Sequence, residues 1–301
     1  MRVRVLGSAA GGGFPQWNCH CEICDAARAG RADRPARPRT QSSLAIRGEE
    51  GPWYLVNASP DLRQQIETLE PRRADGVRAT PIAGVLLTDA EIDHTAGLLL
   101  LRESATPVRV FGDAGVQRAL TDGYPLLRML ERYCGAEWKT LMPGRIQPLD
   151  GSSLTVELFA VGGDAPRYLD GSDAELAASG LVFRDSATGG VVTYVPGLAC
   201  LDDGVVARFA ASDLVLVDGT FWRDDDLARL GISDRSAYDM GHVPLSGPGG
   251  SLAMLAALQR PRKALVHINN TNPILLEDSP ERQEVVRAGV EVAYDGLEVE
   301  L

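Results

Sequence analysis

The sequence predicts an α/β (α+β) fold in which two β-sheets are sandwiched between helices. Short β-branched runs recur between Gly, Pro and Asp punctuation, helical patterns are interleaved with them, and strands return in the second half of the chain. Alternating apolar runs read as strands, longer amphipathic runs as helices, and both must bury an apolar face in layers around a core.

The strand candidates, in chain order, are Val3–Leu6, Leu44–Arg47, Trp53–Val56, Val85–Leu87, Val108–Phe111, Leu154–Val161, Val191–Val195, Leu214–Val217, Ala264–His267 and Val290–Tyr294. The helix candidates are Asp61–Leu69 after Pro60, Gly97–Glu103, Ala114–Leu120, Leu126–Tyr133, Ser251–Leu258 and Pro280–Ala288, the last with Ser279 as its N-cap. No repeat of fixed period, low-complexity tract or long Gly/Ser linker divides the chain, so one domain over residues 1–301 is expected.

A chain of 301 residues with 45% hydrophobic composition can bury a large core. Its 41 acidic against 30 basic side chains give a formal charge of -11, which repels a phosphate backbone and argues against a nucleic-acid partner. The richest basic stretch, with Arg28, Arg31, Arg34, Arg37 and Arg39, is expected to be a solvated loop. The apolar run Gly97–Leu101 stops at Arg102 and Glu103, too short for a membrane span. The strand-like start Arg2–Leu6 has no apolar signal region behind it, so a cytoplasmic protein without a membrane partner is expected.

Five cysteines, an odd number in a reducing compartment, argue against a disulfide scaffold. Cys134 and Cys200 stand alone and are expected to be small buried hydrophobes. Cys19, Cys21 and Cys24 cluster in a loop bent by Gly13, Pro15 and Asn18. Three thiolates at that spacing can take three corners of a tetrahedron around a structural zinc. Asn270 or His20 is the candidate fourth ligand. Asn270 is preferred because it follows His267 by three residues and could tie this loop to a later strand.

A second cluster, Asp89, Glu91, Asp93 and His94, follows the apolar strand Val85–Leu87 directly. Carboxylates and imidazoles at a strand end sit where ligand sites are usually built. Two more strands end the same way, Leu214–Val217 in Asp218 and Ala264–Val266 in His267. These groups can meet only if their strands are neighbours in one sheet. His242, in the loop Gly241–Pro244, is the last of the four histidines. The opening Gly7–Gly13 is glycine-rich like a phosphate loop, but it lacks the Lys-Ser/Thr ending and the dinucleotide spacing.

Asp-His after a strand, then a distant Asp and a distant His, resembles the metallo-β-lactamase superfamily, whose usual first motif reads His-x-His-x-Asp-His. Here Asp89 and Glu91 stand in place of the two leading histidines. The strings Leu6–Cys19, Arg39–Ser43, Asn57–Asp61 and His267–Pro273 look like the PQQ (pyrroloquinoline quinone) biosynthesis protein B family, and the likeness spans nearly the whole chain.

The resemblance implies a four-layer αββα sandwich with a metal at the mouth between the sheets, and a role in making the redox cofactor PQQ from a Glu-Tyr peptide. It implies that one metal position survives whole in Asp93, His94, Asp218 and His267. The other has lost its histidines, which leaves Asp89 and Glu91 behind the ligands or on a weak second ion. Only Asp164 lies where the third histidine would be. By the same likeness His242 moves protons beside the metal, as histidines paired with the Asp of the Asp-His motif do in related hydrolases.

Two histidines with one or two carboxylates and open positions form the ligand set of non-haem Fe(II) oxygen chemistry. The expected activity is therefore O2-dependent, Fe(II)-dependent hydroxylation of a tyrosine-derived precursor, with Asp93 and His242 as catalytic residues. A hydrolase with a metal-bound hydroxide is a second reading, weakened by the missing histidines. A non-catalytic carrier of PQQ or its precursor for transport is a third, with Arg63, Arg102 and Arg167 available to an anionic cargo. The expected partners are a small PQQ precursor or PQQ and other PQQ-biosynthesis proteins, and a homodimer is admissible.

Overall fold

The computed structural model describes residues 1–30, 33, 35–49, 51–70, 80–169 and 177–301. In chain order the strands are β1 (Arg2–Gly7), β2 (Ser43–Arg47), β3 (Trp53–Val56), β4 (Ile82–Leu86), β5 (Val108–Gly112), β6 (Ala136–Thr140), β7 (Ile146–Pro148), β8 (Leu154–Gly162), β9 (Ala178–Asp185), β10 (Val191–Val195), β11 (Leu214–Asp218), β12 (Arg262–Val266), β13 (Glu291–Val292) and β14 (Glu298–Glu300). They form two seven-stranded sheets, ordered β14-β1-β2-β3-β4-β5-β6 and β13-β12-β11-β10-β9-β8-β7. Both are mixed: pairing is antiparallel from β14 through β3 and from β7 through β10, and parallel across the rest.

Side-chain alternation along each strand explains the layering. In β11, Leu214 and Leu216 face the core between the sheets, whereas Val215 and Val217 face the outer core under the helices. Burial on both faces is why this strand reads as an unbroken apolar run. On the first sheet, Leu55, Val85 and Val110 point outward onto Leu62, Leu98, Leu120 and Leu130 from the covering helices. Each large apolar side chain buried in this way contributes about 1.5 to 3 kcal/mol, so three such cores dominate the folding drive. The result is a helix, sheet, sheet, helix sandwich.

The predicted strands all occur, β3 and β10 with the predicted ends and the others with shifted ones, but β6, β7, β9 and β14 were not anticipated. β7 and β14 are three residues each, too short for periodicity to show. β9 carried a legible apolar run, Leu181-Val182-Phe183, buried throughout. Among the helices, Ser279 caps Pro280–Arg287 as expected, accepting from the Arg282 amide. The helices Glu22–Ala29 and Asp203–Ala211 were missed, although Asp202 caps the second by accepting from the Val205 amide.

Two expectations are corrected here. Arg39 is buried, not solvated: its guanidinium donates to Ser8 Oγ at 2.9 Å and to the Ala293 carbonyl, and those bonds replace the water it loses. Arg28 and Arg37 are solvated, and Arg31 and Arg34 lie outside the described residues. Cys200 is exposed and Cys134 only half-buried, because Cys200 sits in the loop between β10 and the Asp202 cap. No helix among the described residues is long and apolar enough to cross a membrane.

Candidate metal centre

The ends of β4, β11 and β12 meet at one mouth between the sheets. Asp218 ends β11 in register with Val266, so the next residue of the neighbouring strand, His267, lies beside it. From the other sheet, the segment after β4 carries Asp89 into a short helix, Ile92–Thr95, that contains Asp93 and His94. His267 takes a left-handed backbone, φ 54°, which turns its side chain out of the strand and into the mouth.

Three donor atoms converge there. Asp93 Oδ2 stands 3.5 Å from His267 Nε2 and 3.8 Å from His94 Nε2. Adjacent donors on an ion with bonds of ~2.1 Å lie roughly 3 to 3.5 Å apart, so a small contraction would let one ion join all three. The far side of each imidazole is occupied. His94 Nδ1 lies 2.7 and 2.8 Å from the two oxygens of Asp89, and His267 Nδ1 lies 2.8 Å from Thr220 Oγ1. His94 Nε2 is buried without any hydrogen-bond partner. A buried ring nitrogen without a partner, facing a carboxylate and a second imidazole, fits a metal ion.

Asp218 is placed differently from the other three. Its Oδ1 accepts from the Thr220 amide at 2.9 Å and Thr220 Oγ1 at 2.6 Å, while Oδ2 accepts from the Leu198 amide at 2.9 Å and bonds His242 Nδ1 at 2.6 Å. Four partners engage both of its oxygens, so here it orients His242 and Thr220. This corrects the expected pairing of His242 with Asp93. The loop holding His242 lies against β11, and Asp218 is the nearer carboxylate. His242 stacks on His267 with ring centroids 5.4 Å apart, and a second convergent group, Asp218, His242 and His267, shares that imidazole.

The electrostatics follow from crowding. Burial pushes the Asp93 and Asp89 carboxyls up, but His94 and His267 together beside Asp93, and His94 with Thr88 and the Glu91 amide beside Asp89, outweigh it and hold both below the usual carboxylate range. Burial disfavours a charged His94, yet Asp89 and Asp93 raise it to about 9. His242 is raised too, by Asp218 against its burial. Glu91 is exposed as a residue, but burial of its carboxyl end, with Asp89 and Asp93 beside it, pushes it up to about 7.

These groups line a cleft of about 480 Å³, within the ~300 to 1,000 Å³ of small-molecule sites. Gly11 forms part of its wall, where a Cβ would come within 3.1 Å of Asp93 Oδ2. The glycine-rich opening therefore lies over the carboxylate. Asp164 lines the rim, as does Arg167. Arg63 and Arg102 do not line this cleft, and Arg235, which sequence reasoning passed over, does. Thr220 was also missed. Its position two residues after Asp218, with a hydroxyl able to reach back, was the available signal.

The three thiols form a separate convergent group, with sulfurs within 4.8 Å of one another. Cys21 is the N-cap of the helix Glu22–Ala29 and accepts from the Cys24 amide. The Cys21 thiol bonded to it pulls Cys24 down to about 5, against burial and with help from the Asn270 amide, while Cys21 itself is pushed up. A thiolate is the form that binds metal. Asn270 Nδ2 lies 3.3 Å from Cys24 Sγ, and the Asn270 carbonyl 3.8 and 3.9 Å from the Cys24 and Cys21 sulfurs. His20 points into solvent beside Asp25.

A family model described as a β-lactamase superfamily domain matches residues 52–268. The chain is 49% identical to a coenzyme PQQ synthesis protein B of Cupriavidus necator over 99% of each chain, and 46% identical to that of Methylococcus capsulatus over the whole of both. It belongs to the coenzyme PQQ synthesis protein B family. The crystal structure of Zn(2+)-bound PqqB from Methylobacterium extorquens covers all of both chains at 40% identity, with a TM-score of 0.89. A diphosphatase of the PhnP family, 18% identical over 100% of this chain and 98% of its own, superposes with a TM-score of 0.70 and shares the metallo-β-lactamase fold alone. Family membership and the two sheets flanked by helices agree with the fold read from the sequence.

Proposed function

We propose that this protein of PQQ biosynthesis is an Fe(II)-dependent hydroxylase that uses O2 on the tyrosine-derived ring of a Glu-Tyr-type precursor. The observation that carries the reading is the convergence of Asp93 Oδ2, His94 Nε2 and His267 Nε2, with His94 Nε2 buried and lacking a partner. Two imidazoles and one carboxylate on one face leave the other face open, the arrangement of non-haem iron oxygenases. A bound Fe(II) would supply the one-electron chemistry that O2 requires, with electrons from an added reductant. Asp89 is bonded to His94, and Asp218 to four donors although it also converges with His242 and His267, so these bonds favour one ion over the two-ion hydroxide of the hydrolases.

The chain's own residues have distinct tasks in this reading. Asp93, His94 and His267 hold the ion. His242, its Nδ1 proton directed at Asp218, turns Nε2 to the cleft and exchanges a proton with the substrate phenol. Arg167 and Arg235 on the rim bind the precursor's carboxylates, which the acidic floor would otherwise repel. The thiol cluster holds a structural zinc.

The test is anaerobic reconstitution with Fe(II), then oxygen uptake with a Glu-Tyr-type peptide and a reductant. His267→Ala is expected to lose the cleft metal and turnover while keeping the thiol-bound zinc and the fold. Full O2-dependent turnover in that variant overturns the ligand assignment. Equal turnover without O2 in the parent favours hydrolysis, and tight PQQ binding without turnover favours a carrier.

A further inference from the structure

Behind His94 runs a line of buried polar groups that the chemistry above does not use. Asn57, at the end of β3, is fully buried and, with His267, is one of two non-glycine residues at positive φ among the described residues, at 62°. Its Oδ1 accepts from the Thr88 amide at 3.1 Å, and its Nδ2 donates to Thr88 Oγ1 at 3.0 Å. Thr88 Oγ1 donates to Asp89 Oδ2 at 2.7 Å, and Asp89 faces His94 Nδ1. The Glu91 amide holds the other Asp89 oxygen at 2.9 Å.

We propose that Asn57 and Thr88 are positioning residues for the metal centre, acting on His94 through Asp89. The direction of the bonds carries the argument. A carboxamide nitrogen can only donate, so Thr88 Oγ1 accepts from Asn57 Nδ2; its single proton has two acceptors in reach, the ionised Asp89 Oδ2 at 2.7 Å and the neutral Asn57 Oδ1 at 3.2 Å, and the shorter, charge-assisted bond to Asp89 takes it. Asp89, ionised, can only accept, so His94 Nδ1 must carry the proton. In the neutral imidazole that a metal takes, the lone pair is then on Nε2, the atom that faces Asp93 and His267. Asn57 thus sets the polarity of a chain of bonds that ends in a metal-ready imidazole. Its left-handed backbone is one that Asn tolerates and branched residues do not. The same stretch also grips His94 from the main chain, since the Ala58 amide donates to the His94 carbonyl at 2.6 Å.

The inference rests on the reading of Asp93, His94 and His267 as ligands, and its test separates the two. Zinc affinity of the cleft is measured by competition with a chromophoric chelator, and site geometry by the visible spectrum of the Co(II)-loaded protein. The variants are Thr88→Val, which keeps shape and loses the hydroxyl; Thr88→Ser, which restores it; Asn57→Gly, which keeps the backbone freedom; and His94→Ala. Zinc at the thiol cluster and the far-ultraviolet spectrum report folding.

Thr88→Val and Asn57→Gly are expected to weaken cleft zinc about 10- to 100-fold and to alter the cobalt spectrum, with the thiol-bound zinc retained. Thr88→Ser returns affinity to within about threefold of the parent by this reasoning, and the double variant loses little more than either single one. Parent-like zinc affinity and cobalt spectrum in Thr88→Val, while His94→Ala loses the ion, overturn the relay and leave the ligands standing. Equal losses in Thr88→Val and Thr88→Ser also overturn it, since packing alone would then explain them. Unchanged affinity in His94→Ala removes the ligand reading and the relay together.

Discussion

At the level of single residues, the centre is built from groups whose charges are tolerable only as a set. In the metal-free protein Asp89 is held below its ordinary range, and its contribution to stability is present above about pH 3.9 and lost as the pH falls. His94 is raised to about 9, so its contribution is complete below about pH 6.5 and lost as the pH climbs through that raised value. The pair therefore supports the metal-free fold best between roughly pH 4 and 6.5. A metal requires the neutral imidazole and removes the alkaline loss. Thermal melts of chelated protein are expected to drop between about pH 6.5 and 9, and those of zinc-loaded protein not to drop. Parallel curves for the two forms would refute the pairing.

The candidate ligands proposed here could be picked out because each follows an apolar strand closely, Asp93 and His94 after β4 and His267 after β12. Their supports could not. Asn57, Thr88 and Thr220 are ordinary polar residues whose meaning lies in a hydrogen bond across 31 or 47 positions of chain. The partner of His242 was misjudged for the same reason. Spacing alone does not say which of two carboxylates a loop will face.

At the level of elements, the cysteine segment is a helix start as well as a bent loop. Cys21 caps the helix Glu22–Ala29 and Cys24 lies in its first turn, where the helix dipole favours a thiolate. That helix was hidden because cysteines and arginines obscure its apolar face of Cys24, Ala26 and Ala27. Cys24→Ser is expected to lose the zinc and lower Tm by about 5 to 10 °C, as for ~2 to 4 kcal/mol in a protein of this size. The cleft metal should remain, since the two groups share no ligand. Unchanged zinc content in the purified variant would count decisively against a structural site at these sulfurs.

At the level of the whole molecule, the protein is acidic and so is the substrate proposed for it. The formal charge is -11, and Asp89, Glu91, Asp93, Asp164 and Asp239 all line the cleft. Arg167 and Arg235 are its described cations, carried on loops that touch where a Cβ on Gly241 would lie 3.8 Å from Gly163 Cα. Arg235→Gln is expected to raise KM for a Glu-Tyr-type substrate about tenfold with kcat nearly unchanged, the effect of one charge-assisted hydrogen bond. The amide of that substrate should not distinguish variant from parent. Equal KM values with the carboxylate would remove Arg235 from substrate binding. The two-sheet architecture was visible in the order of strands and helices, whereas this rim was not, because loops carry no periodicity to read.

The crowded mouth also bears on how long the protein lasts. Asp89, Asp93 and Asp218 share one enclosure with three imidazoles, His94, His242 and His267, and both His267 and the neighbouring Asn57 hold left-handed backbones. A bound cation would offset this crowding of carboxylates and stabilise the folded state. An ion at a hundred times its dissociation constant adds about 2.7 kcal/mol to the folded state. Where opening and closing are fast, cleavage by a protease tracks the open population, so that gain corresponds to about a hundredfold longer survival. Limited proteolysis with and without zinc measures it, and identical half-lives would deny it. Metal supply would then govern how many copies persist as well as how many can react.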